Sequence, residues 1–86
     1  MLKTDFKDIF RSVMPDYDIN NLTESSQIGD SPEWDSISNL NLLLAIEGNY
    51  GIRFSIEEMG DLDSVAKLHK RLSLAEIEIY EKVEKA

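Results

Sequence analysis

The chain has 86 residues, no cysteine, 42% apolar residues and a formal net charge of -8. A chain this short makes one domain around a single small core, burying about 60 to 65% of its unfolded surface, and leaves no room for a separate cofactor domain. The lack of cysteine excludes a disulfide framework, a thiolate metal site and a Cys nucleophile, and no apolar run is long enough to span a bilayer.

The start, Met-Leu-Lys-Thr-Asp-Phe, reads as polar and helical rather than as a signal peptide, which makes a cytoplasmic protein the expectation. Leu2, Phe6, Ile9, Phe10 and Val13 recur at helical spacing and predict a first helix over about 3-14, ended by Pro15. From 15 to 35 the chain is rich in Asp, Asn, Ser and Thr, with Gly29 and Pro32 as breakers, and reads as a long loop. A loop of that length in a small domain is functional or is pinned by its own apolar residues. The pins expected here are Ile19, Leu22 and Ile28, with a helical turn over Thr23 to Gln27.

A second helix is expected over about 36-50, with Gly51 supplying the left-handed C-terminal position and Ile52 the apolar contact that accompanies it. Wound at about 100° per residue, it carries two apolar stripes. Leu42, Leu43, Ile46 and Tyr50 fall on one side, and Ile37, Leu40 and Leu44 nearly opposite. The stripe with Tyr50 is the natural core face. The other is either exposed beside Ser36 as a docking surface or covered by the long loop, and pattern alone leaves both open.

Ser55 and Glu58 fit a capping box for a short third helix over about 56-60, stopped by Gly60. A fourth helix is expected over about 64-84, capped by Asp63 or Ser64, with Val65, Leu68 and Leu72 on one face. The fold class is thus all-α: a four-helix bundle with a long first loop, a short third helix and an extended C-terminal helix, forming one domain over 1-86.

Charge is segregated along this layout. Residues 12-66 hold eleven acids against the single base Arg53, while the remainder holds eight bases and six acids. The acidic middle repels nucleic acid and anionic lipid and favours partners with basic patches, although a solvated surface needs no partner at all. Catalytic constellations are missing. His69 stands alone in the basic stretch Lys67 to Arg71 and reads as part of a solvated face, and one histidine makes neither a triad nor a zinc site. The stretch Asp61-Leu62-Asp63-Ser64 lacks the glycine and closing glutamate of a calcium loop. A non-enzyme with no metal site is expected.

The tripeptide Asp35-Ser36-Ile37 places one hydroxyl where the acidic loop meets the second helix. Either Ser36 or Asp35 caps the helix, or Ser36 carries an anionic adduct in the favourable field of the helix N-terminus.

The run from Trp34 to Phe54, with Asp35-Ser36-Ile37 opening a helix, Ala45-Ile46-Glu47 within it and Tyr50-Gly51-Ile52 closing it, resembles the central segment of acyl carrier proteins. The order of elements resembles that family along the whole chain, apart from the extra length after about Leu72. The resemblance implies a carrier rather than a catalyst. A phosphopantetheinyl transferase would attach 4'-phosphopantetheine, donated by coenzyme A, to Ser36, and the arm would hold an acyl group as a thioester. Such an arm brings the sulfur that the chain itself lacks.

The resemblance further implies that Asp35 helps the transferase recognise the site. Ile37, Leu40, Leu44 and Glu47 would be touched by partners, and Leu42, Leu43, Ile46, Tyr50 and Phe54 would line a core that shelters the acyl chain. The partners implied are a loading ligase or synthetase and acyl-accepting enzymes, with the carrier a monomer that does not insert stably in membranes. Departures from the family pattern are Trp34 before the motif, and Asn39, Asn41, Gly48 and Asn49 where carriers of fatty acid synthesis place acids on the exposed face. They point to a specialised carrier in a lipid, polyketide-like, aminoacyl-transfer or surface-polysaccharide pathway. The alternatives are a D-alanyl, aminoacyl or peptidyl carrier, and an unmodified acidic helical interaction module.

Overall fold

The computed structural model describes residues 6-75, and over these the chain is helical, with four α-helices and no strand. They are α1 (Phe6–Val13), α2 (Ser36–Tyr50), α3 (Ile56–Asp61) and α4 (Val65–Leu74), with a 3-10 turn at Ile19–Asn21 in the loop after α1. The expected first turn of the N-terminal helix, Leu2 included, and the expected continuation of α4 to about 84 lie outside the described residues.

Phe6, Ile9 and Phe10 of α1 are buried, and Met14 just beyond it completes the stripe. They meet Leu42, Leu43 and Ile46 of α2 and Val65, Leu68 and Leu72 of α4 in one core. At its centre lies Trp34, fully buried, with the ring of Phe10 edge-on at 5.1 Å and that of Tyr17 at 6.2 Å. Edge-on pairs of this kind stabilise by about 0.5–1.5 kcal/mol beyond the area they bury.

The long loop is pinned by side chains and backbone together. Leu22 is buried, and Ile19 and Ile28 pack against the core. The helical turn expected over Thr23 to Gln27 is instead a tight turn, closed by the Ser26 N–H on the Thr23 carbonyl at 3.1 Å. Backbone bonds tie this stretch to the start of α4. The N–H groups of Val65 and Ala66 donate to the carbonyls of Ser26 (3.0 Å) and Glu24 (2.9 Å), the Ile28 N–H donates to the Asp63 carbonyl (2.9 Å), and Gln27 forms an antiparallel bridge with Ser64. The loop thereby satisfies donors that a helix N-terminus otherwise leaves without partners. Ser64 supplies the remaining cap through Lys67 N–H. Gly29, at φ +91°, then turns the chain so that its N–H reaches the Trp34 carbonyl at 2.9 Å and Trp34 enters the core. That backbone conformation suits glycine.

The remaining joints are local. Ser55 and Glu58 form both bonds of the capping box. Glu58 also accepts from Arg71 of α4 at 2.9 Å, and the Arg71 guanidinium lies 5.5 Å from the Phe54 ring centroid. Gly60, expected to stop the third helix, lies inside it, because the Leu62 N–H still reaches the Glu58 carbonyl. His69, expected on a solvated face, is half-buried with its ring edge-on to Phe6 at 4.9 Å. It flanks Leu68 and Leu72, so the apolar stripe of α4 is wider than its apolar letters. Among the described residues no helix is long and apolar enough to cross a membrane.

Candidate functional site

The loop delivers Trp34, Asp35 and Ser36 in succession to three different environments: core, cap and solvent. Asp35 is the N-cap of α2, its Oδ1 accepting from the Ser38 N–H at 2.8 Å, and its carbonyl accepts from the Asn39 N–H at 2.8 Å. The Ser38 backbone bond is the main cause, and the Ser38 hydroxyl the next, of a carboxyl pKa held below its ordinary 3.8. With Asp35 as the cap, Ser36 becomes the first helical residue, exposed and free of that duty. It lies at the positive end of a 15-residue helix, where an anion is favoured. An open depression of about 600 Å³ adjoins it, walled by Ile28, Pro32, Trp34 and Asp35.

The position of Ser36 is clamped from both sides. Trp34 Nε1–H donates to Asn39 Oδ1 at 2.9 Å, and Asn39 Nδ2 donates to the Leu62 carbonyl at 3.0 Å, all within the buried interior. Asn39 therefore joins the loop, α2 and the segment between α3 and α4. Leaving a buried polar partner unsatisfied costs about 1–3 kcal/mol, so this bridge holds the start of α2 in one place. The sequence reading put Asn39 on the exposed face of the second helix. It is instead 6% exposed. The signal was present: Asn39, Leu42, Leu43 and Ile46 have the i, i+3, i+4, i+7 spacing of one helix face, and a buried Trp34 needs an acceptor.

The two apolar stripes of α2 have opposite fates. Leu42, Leu43 and Ile46 are buried, and Tyr50 is half-buried against the core. Ile37, Leu40 and Leu44 are 73%, 46% and 49% exposed, and the long loop over 15-35 does not cover them. Ile56 of α3 and Leu74 of α4 are further exposed apolar side chains that sequence reasoning did not single out. Phe54 is buried. Glu47, expected to face partners, is half-buried, and its Oε2 accepts from the Phe54 N–H at 2.7 Å, tying α2 to the following linker.

A second cleft, of about 400 Å³, is lined by acids including Asp16, Asp18, Asp30 and Glu33. Among the described residues no group of three or more His, Asp or Glu side chains is arranged to hold a metal. The chain matches no protein-family model, no curated protein and no solved structure.

Proposed function

We propose that the protein is a carrier whose Ser36 hydroxyl accepts 4'-phosphopantetheine from coenzyme A. The observation that carries this reading is the exposure of Ser36 at the positive end of α2, released from capping by Asp35 and flanked by the uncovered stripe Ile37, Leu40 and Leu44. The resemblance of Trp34 to Phe54 to acyl carrier proteins supports it.

In this reading the Ser36 hydroxyl gives its proton to a base of a phosphopantetheinyl transferase. Its oxygen forms a phosphodiester with the pantetheine-side phosphorus of coenzyme A, as the pyrophosphate bond breaks and adenosine 3',5'-bisphosphate leaves. The helix end favours the anion that results. When bound, the arm supplies a thiol that bears an acyl or aminoacyl group as a thioester. The chain's own residues do the rest. Trp34 and Asn39 hold the attachment point still, Asp35 leaves the hydroxyl accessible, and Ile37, Leu40 and Leu44 offer an apolar surface to loading and accepting enzymes. Acids around the site steer partners with basic patches. The protein itself catalyses nothing in this scheme.

Intact mass after incubation with coenzyme A and a broad-specificity transferase tests the reading. The wild type gains one phosphopantetheine mass and Ser36→Ala gains none. No gain in the wild type, or an equal gain in Ser36→Ala, overturns it in favour of an unmodified interaction module.

A further inference from the structure

We infer that this chain carries its cargo outside the fold, and that the cargo is a short or polar acyl group rather than a long hydrocarbon sheltered in the core. The inference rests on the carrier reading of Ser36 and deepens it, because the resemblance by itself implied a sheltering core around Leu42, Leu43, Ile46, Tyr50 and Phe54.

Three observations close the interior to a chain hung from Ser36. Trp34, two residues before the attachment point, is fully buried in the core and is braced edge-on by Phe10 at 5.1 Å and by Tyr17. Asn39, three residues after it, seals α2 to the segment following α3 by its bond to the Leu62 carbonyl at 3.0 Å while accepting from Trp34 at 2.9 Å. At the far end of the helix, Glu47 seals α2 to the linker preceding α3 by its 2.7 Å bond from the Phe54 N–H. These bonds tie both ends of α2 to the segments flanking α3, and a hydrocarbon that displaced the buried Asn39 bridge would leave polar groups without partners, which burying its methylenes has to overcome.

The space that does adjoin Ser36 lies on the outside. The depression beside it is open, and Asp30 and Asp35 stand among its walls. Its other walls include Ile28, Pro32 and Trp34, and because it is open it leaves a long alkyl chain in contact with water rather than enclosed. The rigid side of the site thus faces inward and the accessible side faces water.

The test uses the wild-type chain loaded from acetyl-, butyryl- and octanoyl-coenzyme A by a broad-specificity transferase, with intact mass recording each adduct. A group that binds the folded interior stabilises the fold by linkage. The expected result is a melting temperature that agrees within about 1 °C across the three adducts, an unchanged emission maximum for Trp34, the chain's one tryptophan, and octanoyl and acetyl thioesters cleaved by hydroxylamine at similar rates. A melting temperature several degrees higher with octanoyl, a shift of Trp34 emission, or selective protection of the octanoyl thioester overturns the inference while leaving Ser36 as the attachment point. Failure of all three to load overturns the attachment itself, and the inference with it.

Discussion

The two sides of α2 carry similar amounts of hydrocarbon and are treated in opposite ways. The buried side, Asn39, Leu42, Leu43 and Ile46, contains a polar residue, whereas the exposed side carries the three apolar residues Ile37, Leu40 and Leu44, with Asn41 beside them. Hydrophobicity alone therefore does not decide which side is core. What decides is whether the neighbouring elements present complementary groups. Trp34 offers a donor, the Leu62 carbonyl offers an acceptor, and α1 offers the Phe10 ring, so the side with the amide goes inward. The other side stays largely exposed. In the proposed reading, that exposed apolar stripe is where loading and accepting enzymes dock.

The largest expected effect breaks the buried side. Trp34→Ala removes the aromatic centre of the core and the donor to Asn39, and should cost about 3–5 kcal/mol, read from urea unfolding. A loss under about 1 kcal/mol would mean that Trp34 is not the keystone its burial indicates. The exposed side should behave differently. Leu40→Glu should leave stability within about 0.5 kcal/mol of wild type, as surface substitutions do, while slowing transfer by partner enzymes. A collapse of helicity would place the stripe in the core after all.

Acid should produce the mildest effect, at the cap between the two sides. The Asp35 carboxyl is held below its ordinary 3.8 by the Ser38 N–H, and that of Glu58 below 4.5 by the Ser55 N–H and then by Arg71. A depressed carboxyl contributes stability that is complete above its unfolded pKa and is lost as pH falls through the folded value. The melting temperature should therefore stay level down to about pH 5 and fall below about pH 4, with α2 and α3 fraying first in circular dichroism. An Asp35→Asn variant, which keeps a capping acceptor, should lose less on acidification than wild type.

Much of the frame was legible in the sequence because helix ends are written in side chains. Asp35 and Gly51 bound α2, Ser55 and Glu58 open α3, and Pro15 follows the end of α1. The attachment of the loop to α4 was not legible, since the bonds from Val65 and Ala66 to the carbonyls of Ser26 and Glu24 run between backbone groups that every residue possesses. Gly60 misled because glycine in a helix costs only about 1 kcal/mol relative to alanine, too little to end α3 where a capping box and Arg71 hold it. Asn39 misled because a polar letter reads as surface until its partners are found. At the candidate site, the exposure of Ser36 follows from Asp35 taking the cap, which the motif left open between the two residues.

The loop bonds to α4 have a consequence for how the domain opens. A single connection secures the first turn of α4 through Glu24 and Ser26 and, after the Gly29 turn, secures the start of α2 through Trp34. Neither helix can loosen at that end without freeing the other. Local unfolding is therefore not apportioned helix by helix here: the Val65 and Asn39 amides belong to one cooperative unit and should exchange with solvent together.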